Sequence, residues 1–84
     1  MAARAINKLF VGNLPWTIGN RELKAYFSEF GHVVSATVVF DRNTGMSRGY
    51  GFVLFSTQGG YDSVTNRHNH ILEGNILSVQ PAGN

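Results

Sequence analysis

Cysteine is absent from the 84 residues. That excludes a disulfide framework, a thiolate metal site and a cysteine nucleophile, and it leaves the redox compartment open. Charge is sparse: seven Lys and Arg stand against five Asp and Glu, a net +2. This surplus is compatible with nucleic acid but too small to argue for it alone. It predicts that stacking, more than phosphate contact, carries the affinity for any such ligand. Proline is scarce, with Pro15 and Pro81 as the two examples. No apolar run is long enough to span a bilayer, so a soluble chain with no membrane contact is expected. The length allows one small domain, near the size at which a single core suffices. Linkers, repeats and low-complexity segments are missing as well.

Against that plain background, residues 48–55 stand out: Arg-Gly-Tyr-Gly-Phe-Val-Leu-Phe. Side chains on a strand alternate between its two faces. Arg48, Tyr50, Phe52 and Leu54 then share one face, and Gly49, Gly51, Val53 and Phe55 the other. If the second face meets the core, two aromatic rings and a guanidinium point at solvent. Such a row suits unpaired bases stacking on rings while an arginine meets a phosphate.

The rest of the chain supplies a frame. Residues 8–13 read as a first strand, stopped by the Asn13-Leu14-Pro15 break. Gly19 reads as the N-cap of a helix with Glu22 in its first turn and Ile18 clasping Leu23. Leu23, Phe27 and Phe30 recur at helical spacing, and Gly31 is expected to end the helix in a left-handed cap. Val33 to Phe40 is rich in β-branched residues and reads as strand two. Asp41 to Gly45 is a turn, and Gly49 to Phe55 is strand three. Ser56 is the expected N-cap of a second helix running to about Arg67, weakened by Gly59 and Gly60. Glu73-Gly74-Asn75 is a turn, and Ile76 to Gln80 forms the last strand, ended by Pro81. The order β-α-β-β-α-β predicts an α+β, ferredoxin-like fold: a four-stranded antiparallel sheet with two helices on one face and the other face open. The domain is placed at residues 8–82, with short flexible ends at 1–7 and 83–84. Residues 1–8 carry Arg4 and Lys8 and no acid, which fits either a short disordered start or the remnant of a mitochondrial presequence.

Residues 48–55 match [KR]-G-[FY]-[GA]-F-V-x-[FY] at every defined position, the longer signature of the RNA recognition motif. Residues 9–14, Leu-Phe-Val-Gly-Asn-Leu, resemble the shorter signature, on strand one as that family requires. The resemblance covers about residues 8–82. Within the family, Pro15-Trp16-Thr17 and residues 69–74 are similar to the small mitochondrial stem-loop-interacting RNA-binding proteins. That resemblance implies binding and stabilisation of mitochondrial messenger RNA and a pentatricopeptide-repeat protein partner; nucleus or cytoplasm is the alternative compartment. Two departures are visible. Gly60 and Ser63 stand where the family usually has alanine, which predicts looser packing of helix two. The loop between strands two and three has only Arg42 and Arg48 as cations.

The expected ligand is single-stranded or looped RNA. Phe10, Tyr50 and Phe52 are the candidate stacking rings. Gly12, on the open face, leaves room for a ligand or a neighbouring ring, whereas Gly49 and Gly51 are read as packing glycines. Arg48 is the candidate phosphate partner, its five donors set in a planar fork. Lys8 flanks the platform. Gln80 should point to the open face, where its amide can read a base edge, with Ser78 beside it and Ile76 adding apolar contact. Asn13 is read as fixing its loop and Trp16 as a packing residue. His68 and His70 form a His-x-His pair, but no third ligand is near and no metal or other cofactor is expected. No triad and no phosphate loop is present, so neither an enzyme nor a small-molecule substrate is expected. The competing class is a protein-interaction domain on the same fold, docking its partner through the helix face.

Overall fold

The computed structural model describes residues 7–67 and 69–82. Residues 1–6, with Arg4 of the acid-free start, His68 and the last two residues lie outside that range. The elements run β1 (Lys8–Gly12), α1 (Asn20–Phe27), β2 (Val33–Phe40), β3 (Ser47–Phe55), α2 (Gln58–Thr65), β4 (Ile71–Leu72), β5 (Asn75–Ile76) and β6 (Ser78–Pro81). Four strands pair antiparallel in the order β2-β3-β1-β6. The two signature segments therefore lie side by side at the sheet centre. Leu9 and Val11 of β1 and Val53 and Phe55 of β3 are buried against Leu23, Phe27 and Val64 of the helices. Each such side chain contributes roughly 1.5–3 kcal/mol by leaving water. The helices thus claim one parity of both central strands.

Helix α1 starts as its sequence predicts. The Gly19 N–H donates to the Glu22 carboxylate at 2.9 Å. Backbone N–H donation, from Glu22's own amide and from Gly19, holds the Glu22 carboxyl below the usual range. The helix ends differently. Phe27 is its last residue, and the Ser28 hydroxyl donates to the Lys24 carbonyl at 2.6 Å. Gly31 does not have positive φ; among the described glycines only Gly45, Gly49 and Gly74 do. A Cβ on Gly31 would lie 2.6 Å from the Gly60 α-carbon, so its role is close approach to α2. Gly60 answers from the other side. A Cβ there would sit 2.7 Å from Phe55 Cδ1. The expectation of a loose second helix is therefore reversed: glycine draws α2 tighter onto β3. Its N-cap is Thr57, not Ser56, with Oγ1 accepting the Gly60 N–H at 3.3 Å.

The last strand also needs correction. It spans Ser78 to Pro81, and Ile76 belongs to a separate two-stranded ribbon, β4–β5. Glu73 and Gly74, both with positive φ, make the two-residue turn of that ribbon. Pro81 stays in β6 opposite Leu9. An edge strand tolerates it because no neighbour waits for the missing N–H.

His70 is 2% exposed in a cage with Tyr26, Phe27 and Phe30. Its Nε2 lies 2.9 Å from the Val64 carbonyl, which can only accept, so Nε2–H donates there. Nδ1 is hydrogen-bonded to the Tyr26 hydroxyl at 2.8 Å. Burial raises the Tyr26 phenol above its ordinary value, partly offset by Arg67. Both ring nitrogens of His70 are engaged in holding β4 to the helices.

Candidate nucleic-acid interface

Register places the open face in rows. Across one row stand Thr37, Phe52, Phe10 and Gln80, one from each strand. The next pairs Tyr50 with Gly12 and Gly12 with Ser78. Phe10, Tyr50 and Phe52 are half-buried, while Leu9, Val11, Val53 and Phe55 between them are closed off beneath the helices. The rings touch one another. Phe10 lies 5.6 Å from Tyr50 and 5.8 Å from Phe52 between centroids, and Tyr50 to Phe52 is 6.3 Å in an edge contact. These are favourable tilted and T-shaped packings that fix the rings before any ligand arrives.

Gly12 explains how Phe10 lies flat on the sheet. A Cβ there would sit 3.1 Å from Phe10 Cε2, against the ring edge. The two other glycines divide. On Gly51 a Cβ would collide with the Thr37 carbonyl, so glycine there lets β2 approach. Gly49 is needed for its backbone, not for clearance: it adopts φ +84°, and a Cβ there would meet only the Leu14 carbonyl, at an ordinary 3.8 Å. It sits in an irregularity of β3, where Ser47 to Gly51 spans the partner's Phe40 to Val38. Its carbonyl accepts the Leu14 N–H at 2.9 Å, tying the loop after β1 to this kink.

That kink bears on Arg48, which lies beyond it. Strict alternation with Tyr50 is interrupted, and the exposed Arg48 stands at the root of the 41–46 loop. There the Thr44 and Asn43 amides donate to Asp41 and lower its carboxyl pKa, with Arg48 adding a smaller pull. The cation seated on the platform is Lys8, its Nζ 5.0 Å from the Phe52 centroid. Among the described residues, no cation–π contact joins Arg48 to the rings. Gln80 is exposed directly opposite Phe10. Asn13 does fix its loop: it donates to the Ile76 carbonyl at 2.8 Å and accepts from the Asn75 amide at 3.1 Å. Trp16 departs from expectation, being 71% exposed. Leu14 and Ile18 fill the nearby core positions, and the turn closed by Ile18 N–H to the Pro15 carbonyl carries Trp16 outward.

Ser35 and Thr37 were not among the sequence candidates. With Lys8, Phe52 and Leu54 they line a hollow of about 320 Å³ beside the platform. A bulge at Val34 puts them on this face. Val33 pairs with Phe55 and Ser35 with Leu54, so one residue is extra and the alternation changes phase. Counting outward from the buried Val33 assigns Ser35 and Thr37 to the core face, which Ala36 and Val38 occupy instead.

The arrangement is chemically simple: flat apolar surfaces, hydroxyl and amide groups at their edges, one ammonium and no carboxylate among the residues just named. The family model for the RNA recognition motif matches residues 9–77. The bovine "SRA stem-loop-interacting RNA-binding protein, mitochondrial" is 40% identical over 72 residues, 86% of this chain and 65% of that one. The Nicotiana sylvestris "28 kDa ribonucleoprotein, chloroplastic" is 43% identical over 76 residues, 89% of this chain and 28% of that one. The chain thus spans just under two thirds of the first relative and about a quarter of the second. The second RNA recognition motif domain of yeast poly(U)-binding protein superposes with a TM-score of 0.80 at 32% identity, covering 95% of this chain and 96% of that one. On its fold, its paired signature strands and this match, the chain belongs to the RNA recognition motif family.

Proposed function

We propose that residues 8–82 bind a few nucleotides of single-stranded or looped RNA across the open sheet face. Phe10, Tyr50 and Phe52 stack the bases, and Gly12 keeps the Phe10 ring flat for them. Lys8 meets a phosphate beside Phe52, Arg48 meets another from the loop root, and Gln80 reads a base edge next to Phe10. The observation that carries this reading is three mutually packed rings on the helix-free face, with a lysine over one of them. The chain is a binding module. Its proposed role is post-transcriptional: stabilising messenger RNA, in mitochondria, with a pentatricopeptide-repeat protein as partner. The similarity to a mitochondrial relative supports the compartment.

Fluorescence anisotropy with a labelled oligonucleotide tests the mechanism. Tyr50→Ala and Phe52→Ala should each weaken binding by about 1–3 kcal/mol. Unchanged affinity in the double variant removes base stacking from this face. Crosslinking in cells, followed by sequencing of the bound RNA, reports the transcript class and therefore the compartment.

A further inference from the structure

The flank of α1 that faces the β4–β5 ribbon carries a pattern the RNA reading does not use. Glu22 and Ala25 lie three apart on one side of α1, with Ile18 just before the helix and Glu29 in the turn just after it. Across from them stand Leu72 and Glu73, and together they line a hollow of about 330 Å³. Tyr26 and Glu29 are also walls of a second hollow, of about 410 Å³, that reaches Ile71 and ends at Arg67. The two share a boundary and make one trough along α1. Ile71 pairs directly with Ile76 across the ribbon, and these two are 58% and 59% exposed, extending the apolar surface.

In the hollow between α1 and the ribbon the charged residues are all acidic, while Arg67 stands at the far end of the second hollow. Three of the chain's five acids, Glu22, Glu29 and Glu73, line the first hollow. Arg21 and Lys24 of the same helix line neither hollow. Two of the three carboxylates are anchored in place. Glu22 accepts the Gly19 N–H at 2.9 Å, and Glu73 accepts the Thr17 hydroxyl at 3.0 Å. Anchored charges around an apolar floor cost a partner little ordering on their side. RNA is repelled here, because its phosphates meet carboxylates. Helix α1, eight residues and about 12 Å long, presents the small, exposed Ala25 to this hollow, which suits a second helix laid alongside.

We propose that this trough docks a basic amphipathic helix of a protein partner, its apolar stripe on Ala25, Tyr26 and Leu72 and its Lys or Arg residues against Glu22, Glu29 and Glu73. The docked helix lies on the opposite side of the molecule from the stacking rings, so RNA and partner bind together. The inference stands whether or not the RNA reading holds.

The test titrates the isotope-labelled chain with two synthetic helical peptides of about 18 residues, long enough to form a helix on binding. One has Leu in a helical stripe flanked by Lys; the other has Glu at every Lys. The basic peptide should shift amide signals at residues 18–29 and 71–73 and leave those of Phe10, Tyr50 and Phe52 in place. The acidic peptide should not bind. Glu29→Lys and Ala25→Arg, both at exposed positions, should each weaken the basic peptide about fivefold or more without changing oligonucleotide affinity. Equal binding of both peptides, shifts centred on the sheet, or no shift along α1 overturns the proposal. A photo-crosslinker at position 25, used in cells, adds a second measurement. Capture of a protein segment with that basic, helical pattern supports it, and capture of RNA overturns it.

Discussion

Gly31 and Gly60 do their work by lacking a side chain in opposed positions. A methyl on Gly31 points at the Gly60 backbone, which has no rotamer by which to yield. Gly31→Ala should therefore cost about 1–3 kcal/mol, as overpacking of a fitted contact does. Thermal unfolding followed by circular dichroism checks this; for a domain of this size each kcal/mol lowers Tm by roughly 4–8 °C. An unchanged Tm would mean that α2 swings away freely. Neither role is visible from residue type. A glycine following a helical run looks like a cap, and a glycine inside a helix looks like a weakness. Only the neighbour's position separates these readings from close packing.

At the scale of elements, local chemistry explains most boundaries. Helix α1 begins where Gly19 and Glu22 exchange a hydrogen bond, and the 41–46 loop is shaped by Asp41 accepting the Asn43 and Thr44 amides. Both carboxyls have pKa values below the ordinary 3.9–4.3 or so of unfolded chains. A depressed folded-state pKa stabilises above the unfolded value and loses that contribution as pH falls through the folded one. The wild type should therefore lose stability below about pH 4 more steeply than Glu22→Gln or Asp41→Asn. Melting curves taken from pH 7 to pH 2 give the comparison, and parallel slopes would refute it. The elements that sequence reading missed are those with little local signal. β4 and β5 have two residues each, and the bulges at Val34 and around Gly49 are set by the partner strand's register.

Across the whole molecule, the two sides of the sheet differ in charge as well as shape. Lys8 and Arg48 are the cations placed for the proposed RNA path, so about two phosphates should be neutralised. For a single strand this gives a slope of log affinity against log salt near −1.4, at about −0.7 per phosphate. Oligonucleotide titrations over a range of salt measure it; a much steeper slope would show that Arg21, Arg42 or other cations take part. Stacking on the rings should persist at high salt.

Strand parity, turn residues and the two signatures determined from sequence alone the order of the two helices and the four sheet strands, the exposed faces of β1 and β3, and the three rings. They did so because alternation and helical spacing are local rules that each segment obeys by itself. Tertiary structure decided what depends on neighbours. It set Arg48 beyond a kink, turned Ser35 and Thr37 onto the open face, and sent Trp16 to solvent. It also closed α2 onto Gly31 and brought Glu73 across to Glu22 and Glu29 on one flank of α1. Register shifts and interatomic clearances arise only when segments far apart in the chain come into contact, and no single stretch of residues encodes them.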